Sequence, residues 1–410
     1  MTDIRFTVYG EQPSPLIDPE FLLNQFEKQQ KIRVLAEHMV WEAAWSKLLD
    51  FALRGGGPHI SIIGAIWTSS LTALNSLRPI TTQDINILGG IDAFFPSTWE
   101  STLLTSTGQA WGIPFNAYTY LVFYRRDLLA KAGVEEQTAF ISPQAMLETL
   151  AKLEGSGVES PILLPSGKPL RSRLHMAASW IWGAGGEFIS KDRKLALFTQ
   201  KEALDGLETF FSLYRYLAPV DYGLTQEECY KYFANGKTAV IFAGNTFQKN
   251  LQQNRVPQVL ENLGVVQVPG IPWVAGANIV IWKEAQLNPL SERGAVALAK
   301  FLTSTEAQVK YAEDQAAIPS RVEAFDATHF DLPVLKTAVR ESLIAGRSYR
   351  PVSLWLRIMN ELCPALDNIT QEFLENTGAF PNPIALRMLC AKHLEPCSRR
   401  IDILLSNISQ

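Results

Sequence analysis

Apolar and polar side chains alternate along Ile4-Arg5-Phe6-Thr7-Val8-Tyr9, the period of a strand with one face buried, and Gly10 ends the run. Asp18-Pro19 then reads as an N-cap with a first-turn proline, opening a helix that carries Phe21, Leu22 and Phe26 on one side. Lys31 to Ala36 predicts a second strand. Trp41, Trp45, Leu48 and Ala52 recur at helical spacing, and Gly55-Gly56-Gly57-Pro58 stops that helix. His59-Ile60-Ser61-Ile62-Ile63-Gly64 is a third strand. Three strands alternating with two helices in about sixty residues point to an α/β fold built on a parallel, doubly wound sheet.

Further along, Trp111 to Tyr124 is a long extended segment with Asn116, Tyr118 and Tyr120 alternating, and Arg125 to Ala132 reads as helix. Ser142-Pro143 opens another capped helix, followed by a short strand at Pro161 to Leu164. A helical stretch with His175, Trp180 and Trp182 ends at Gly183-Ala184-Gly185-Gly186. Thr225-Gln226-Glu227-Glu228 is a capping box, and strands are predicted at Thr238 to Phe242, around Val265 to Val268, and within Trp273 to Trp282. Helices follow at Ser291 to Leu302 and Ser304 to Asp314, leading to Ile318-Pro319-Ser320-Arg321. The remainder is helical apart from loops near Arg350 and Pro381.

Length changes this picture first. A chain of 410 residues exceeds one ordinary core, so two lobes are expected. A formal net charge of −4 with no Lys/Arg run argues against nucleic acid as a partner. No apolar run reaches the roughly 18 residues of a membrane helix. Met1 to Phe6 lacks the basic start, apolar stretch and small-residue cleavage site of a signal peptide. Two localisations stay open: periplasmic or extracellular if an export signal has been removed, cytoplasmic if Met1 is the native start.

Doubly wound sheets bind ligands beyond the carboxyl ends of their strands. Tyr9, Glu11, Trp41 and Trp67 fall just after a strand or at the entrance to the next helix, so they are candidate ligand contacts. Trp41 shares a stripe with Trp45, which makes core packing an equal reading for it. Cys390, His393 and Cys397 with the distant Cys363 have the elements of a Cys3His metal site, and Cys363 could instead pair with Cys390 or Cys397. Buried unpaired thiols explain the same residues without either, and neither metal nor cofactor is expected.

Five stretches, in order, carry a family resemblance. They are Trp41 to Gly57 with Pro58-His59-Ile60-Ser61-Ile62; Trp111 to Val134; Phe233 to Gly244; Ala297 to Ala312 leading to Pro319-Ser320-Arg321; and Tyr349-Arg350-Pro351-Val352. Together the chain resembles the bacterial extracellular solute-binding proteins of family 1, the maltose-binding-protein-like group. His59 stands where that family usually has Asp, Arg125-Arg126 replace its Asn-Lys, and the 380–410 tail matches least. The resemblance implies a periplasmic-binding-protein-like fold of two α/β lobes joined by crossing strands, with a ligand held between them. One lobe would comprise residues 1–117 and 275–325, the other 118–274 and 326–410. It further implies a monomer, without enzymatic activity, that serves the permease subunits of an ABC importer. Extended segments at Asn116 to Tyr120, Val274 to Asn278 and around Arg321 are the expected hinge.

The residue types suit a sugar or polyol. A pyranose offers an apolar C–H face to aromatic rings and a rim of hydroxyls to amides, carboxylates and guanidinium groups. Trp67, Tyr118, Trp180, Trp182 and Trp273 are the candidate faces, and Glu11, Asn116, Asn245, Asn278 and Arg350 the candidate bonding groups. Gly244, Gly276 and the Gly183 to Gly186 turn would let backbone donors approach closely. Trp282 is assigned to the core. Two rivals remain. Gly236-Lys237-Thr238 echoes a phosphate-binding loop but has Lys231 where that loop needs Gly, and no Gly-x-Ser-x-Gly elbow occurs, so an enzyme is disfavoured apart from a carboxylate pair acting on glycosides. The same fold used as a ligand sensor for a regulator or kinase is the other.

Overall fold

The structure, a computed structural model, describes residues 3–10, 14–104, 108–168, 171–247, 251, 256–375 and 382–408. Its strands in chain order are β1 (Ile4–Gly10), β2 (Val34–Val40), β3 (Ile60–Gly64), β4 (Leu103–Leu104), β5 (Gln109–Ala110), β6 (Ile113–Arg125), β7 (Ile162–Leu163), β8 (Val240–Gly244), β9 (Leu263–Gln267), β10 (Val274–Ile281) and β11 (Ile318–Pro319). The chain divides into two compact units. One contains Met1–Tyr118, Val274–His329 and Ser348–Leu356, the other Thr119–Trp273, Phe330–Arg347 and Arg357–Gln410. Residues 348–356 thus cluster with the first unit, although the sequence placed the whole of 326–410 in the second lobe.

In the first unit the strand order is β2-β1-β3-β10-β6, with β11 paired to β6. β1 runs parallel to β2 and β3, and β10 lies antiparallel to β3. Alternate residues face opposite cores. Phe6, Ile60, Ile62, Ile279 and Ile281 join helices Asn24–Gln30 and Pro289–Leu302 on one face. Ile63 and Val280 join Ala44, Leu48 and Leu71 of helices Trp41–Arg54 and Thr68–Ala73 on the other. The expected doubly wound layering is therefore present. Buried polar side chains stitch its centre: the Trp282 indole N–H donates to the Ser61 hydroxyl (2.8 Å), which lies 2.6 Å from that of Thr7.

The second strand starts later than the pattern predicts, at Val34. Lys31 instead adopts a left-handed conformation that caps helix Asn24–Gln30, and the Glu27 carboxylate accepts the Val34 N–H at 2.6 Å, so the chain turns before it extends. Arg321 is no crossing point either. It lies within the first unit, where its guanidinium donates to the carbonyls of Thr303 and Leu88 and covers the Phe94 ring. Chain passages between units fall at 118/119, 273/274, 329/330, 347/348 and 356/357.

The second unit pairs the remainder of β6 with β8 and β9, both antiparallel, and β7 lies parallel to β8. Its helices include Pro143–Gly155, Arg171–Gly183, Lys201–Ser212, Pro333–Ala345, all but the first two residues of Trp355–Glu375, and Pro383–Ile408. The Ser142 cap and the Thr225/Glu228 capping box form as the sequence predicts. All four cysteines are free thiols, so no disulfide joins Cys363 to Cys390 or Cys397. His393 bonds to Glu372 (2.8 Å), the Cys397 thiol donates to the Glu361 and His393 carbonyls, and no metal-binding group occurs among the described residues. Burial pushes the Cys390 thiol up to about 12 and that of Cys363 to about 11, which keeps both protonated. No helix among the described residues is long and apolar enough to cross a membrane.

Two stability predictions follow from the first unit. At Gly276, φ is +153° and a Cβ would run into the Asn116 carbonyl oxygen. Gly276→Ala is expected to cost at least about 3 kcal/mol in urea unfolding. At the other end of β3, the His59 Nδ1 accepts the Arg5 backbone N–H (3.2 Å), beside the Arg5 guanidinium and Glu284. Burial, then Arg5, hold the His59 pKa below its usual 6.5, against the opposing pull of Glu284. Its neutral form therefore stabilises the fold above about pH 6.5, and this contribution fades as pH falls through the lowered folded value. Unfolding free energy should drop between pH 7 and 5 more steeply than in His59→Asn, by at most about 1.4 kcal/mol per pH unit.

Candidate functional site

The parallel pairing of β1, β2 and β3 brings their carboxyl ends to one edge of the first unit. Tyr9 lies near the end of β1, Trp41 opens the helix after β2, and Trp67 closes the short turn Ala65–Trp67 after β3. These three rings meet as a triangle, with centroids 4.9 Å (Tyr9–Trp41), 5.1 Å (Tyr9–Trp67) and 5.1 Å (Trp41–Trp67) apart. Trp67 is only 3% exposed, with Trp45 packed at 5.9 Å, so it is not the open face that the sequence suggested. Tyr9, Trp41 and Trp45 are half-buried. Burial, with Tyr311 adding to it, raises the Tyr9 phenol well above its usual range and keeps it protonated.

The turn after β3 also borders a small pocket, whose roughly 350 Å³ of empty space includes open solvent. Its walls are Ala65, Ile66 and Ser69, then Ser101, then Val274 and Ala275 at the start of β10, and finally Ser348, Tyr349, Arg350, Pro351 and Trp355. Every one of these residues belongs to the first unit. Tyr349 packs on Trp355 with ring centroids 4.3 Å apart. The lining combines aromatic and aliphatic surface, three serine hydroxyls and one guanidinium, without a carboxylate. Arg350 is the candidate that the sequence singled out here. Tyr349 entered only as part of the Tyr349 to Val352 motif, and Ser69, Ser101 and Trp355 were not singled out, although Trp355 follows the Arg-Pro turn by only four residues.

A second aromatic group lies in the other unit. Trp273 stacks with His175 (4.2 Å, 13° between planes) and with Tyr120 (5.8 Å, 30°). Ser179 and Thr119 hold the Trp273 backbone: the Ser179 hydroxyl accepts its N–H, and the Thr119 hydroxyl donates to its carbonyl. Burial, reinforced by Arg171, lowers the His175 pKa to about 3, so the ring is neutral at any ordinary pH. Trp182 lies under the Arg347 guanidinium (5.0 Å), which is ion-paired with Glu187. Nothing in the sequence pattern linked Glu187 to Arg347, 160 positions apart.

Several candidates turn out to serve the fold. Trp180 is 1% exposed and packs on Phe210 and Phe242, because the helix Arg171–Gly183 buries that face against helix Lys201–Ser212 and β8. Gly183 has room only for hydrogen, facing the Gly270 backbone. The buried Asn278 amide donates to the Thr68 hydroxyl and the Ser101 carbonyl, and its oxygen accepts from the Ser101 hydroxyl. Asn116 uses its side-chain oxygen to accept the Ala277 N–H, beside the Gly276 contact described above. The Gly244 N–H donates to the Tyr230 hydroxyl, and Asn245 is buried just beyond it. Trp273 and Trp182 are buried as well, while Tyr118 is half-buried. Trp282 is core, as expected. Glu11 lies outside the described residues.

Comparison with known proteins gives this arrangement a family. Residues 22–333 match the bacterial extracellular solute-binding proteins. The chain belongs to that family. A binding protein of Brucella abortus (strain 2308) is 22% identical over 337 residues, 78% of this chain and 77% of its own. The sn-glycerol-3-phosphate-binding periplasmic protein UgpB of Shigella dysenteriae is 22% identical over 342 residues, covering 78% and 75%. Among solved structures, the sugar-binding protein MalE of Xanthomonas citri superposes with a TM-score of 0.82 at 20% identity, over 100% of this chain and 98% of that one. The fold of this solute-binding protein is thus the MalE-like, periplasmic-binding-protein fold that the resemblance implied.

The burial pattern predicts which rings are structural. Trp180→Ala and Trp282→Ala should each lose about 3–5 kcal/mol of unfolding free energy. The half-buried Trp41, cut to Ala, should lose about 1–2 kcal/mol. Urea denaturation of the three variants checks that order.

Proposed function

We propose that this solute-binding protein takes a sugar or polyol at the carboxyl-end face of its first unit and hands it to the permease of an ABC-type importer, without catalysis. The observation that carries the reading is the pocket after β3. It pairs the stacked rings of Tyr349 and Trp355 with the hydroxyl of Ser101 and the guanidinium of Arg350. Apolar faces with bonding groups at their edge match the C–H faces and hydroxyls of a polyhydroxylated ligand. The name of the Xanthomonas relative, a sugar binder, supports the same ligand class, while that of the Shigella relative adds a polyol phosphate as a compound to test. The protein works as a monomer in the periplasm or outside the cell.

In this reading, residues 1–117 with 275–325 act as one lobe and 118–274 with 326–410 as the other, with the excursion at 348–356 contributing to the first. Trp273 and Trp182, with His175 and Arg347 against them, give the second lobe its aromatic contribution. Tyr9 and Trp41, backed by the buried Trp67, extend the aromatic surface of the first. The chain passages serve as the hinge about which the lobes rotate.

The test is a thermal-shift screen with maltose, tagatose, ribitol and sn-glycerol 3-phosphate. A true ligand at 100 times its Kd should stabilise the protein by about 2.7 kcal/mol. It should also reduce the radius of gyration in small-angle scattering and quench or shift tryptophan fluorescence. Binding with an unchanged radius would overturn closure. Failure of every sugar and polyol to bind, or their turnover into products, would overturn the function itself.

A further inference from the structure

The pocket's last wall is an excursion of the chain. Residues Ser348–Leu356 cluster with the first unit, yet the segments on either side, Phe330–Arg347 and Arg357–Gln410, cluster with the second. Most of this excursion lies outside regular secondary structure, so no ladder of backbone hydrogen bonds fixes it. Serine hydroxyls do so instead. Ser69 donates to the Val352 carbonyl (2.9 Å) and its neighbour Ser70 to the Ser353 carbonyl (2.7 Å). Ser348 donates to the carbonyls of Ser97 (2.9 Å) and Val274 (2.8 Å).

These hydroxyls are used unusually for helical serines. A helical Ser or Thr commonly turns its hydroxyl back onto the carbonyl four residues earlier. Thr72, on the same helix Thr68–Ala73, does so by donating to Thr68. Ser69 and Ser70 turn outward and take two successive carbonyls of the excursion. Both are buried, so losing a hydroxyl strands a carbonyl that water reaches poorly. We propose that Ser69 and Ser70 are positioning residues that clamp Ser348–Leu356 in place, and so set ligand affinity by holding Tyr349, Arg350 and Trp355 as the pocket wall. The affinity part rests on the pocket being the ligand site; the clamp itself does not.

Ser70 separates the two roles, because it does not line the pocket. Hydrogen exchange is measured on the ligand-free protein for Ser70→Ala and for Ser70→Thr, which keeps the hydroxyl. Amides of 348–356 should exchange about 5–10-fold faster in Ser70→Ala and near the wild-type rate in Ser70→Thr, with little change elsewhere. Whichever of maltose, tagatose, ribitol or sn-glycerol 3-phosphate binds the wild type should bind Ser70→Ala about 5–10-fold more weakly, mainly through faster dissociation, and Ser70→Thr nearly normally. Unchanged exchange in Ser70→Ala overturns the clamp. Faster exchange with unchanged affinity, or equal loss of affinity in both variants, overturns the positioning role. If none of the four compounds binds the wild type, the sugar reading has failed, and the exchange data still decide the clamp.

Discussion

Every residue of β3 is buried, so each of its backbone N–H and C=O groups must be paired inside the protein. β1 supplies one edge within the first sixty-odd residues of chain. The other edge is supplied by β10, which pairs Ala277 with Gly64 and Ile281 with Ile60 after the chain has passed through Thr119–Trp273 of the second unit. Much of the first unit depends on that closure. It explains why Trp282 reaches Ser61, why Asn278 fills the space beside Thr68 and Ser101, and why the carboxyl end of β3 faces the start of β10 across a pocket.

The same closure leaves little freedom at Gly276. Strand β10 must lie against both β3 and β6, and the Asn116 carbonyl occupies the space of a side chain there. Asn116 and Asn278 are polar residues on the path to the site, yet the buried Asn278 amide is consumed in bonding Thr68 and Ser101, and Asn116 commits its side-chain oxygen to the Ala277 N–H. Their chemistry suits a sugar, but the Asn278 amide is buried and bonded within the scaffold. A buried amide is costly unless bonded, so the protein spends these groups on itself before any ligand arrives.

The two aromatic groups show a similar division. Tyr9, Trp41 and Trp67 are gathered simply because three parallel strands end at one edge, a consequence of topology that the spacing of strands and helices already implied. Trp67 is nonetheless sealed by its neighbours, so the solvent-facing part of this surface falls to Tyr9 and Trp41. In the second unit, Trp273 and Trp182 are flanked by His175 and Arg347, neutral imidazole against one ring and paired guanidinium against the other. Each buried indole thus has a polar neighbour packed against its ring.

Periodicity, caps and glycine stops by themselves determined most elements, because those signals act within a few residues: β1, β3, helix Trp41–Arg54, the Ser142 cap and the Thr225–Glu228 box are all readable locally. The order of five weak motifs also carried the family, since most of them mark a local junction between a helix and the next element, kept in sequence. Local pattern could not say which aromatic and amide side chains would be left facing solvent. Trp180 and Trp67 look alike in sequence to a ligand-stacking ring, and only packing against Phe210, Phe242, Tyr9 and Trp45 distinguishes them. Nor could it place Ser348–Leu356 beside Ser69 and Ser70, because that contact joins hydroxyls and carbonyls some 283 residues apart and leaves no periodic trace. Tertiary structure alone decided it, by bringing together groups whose pairing depends on proximity in space and not on spacing along the chain.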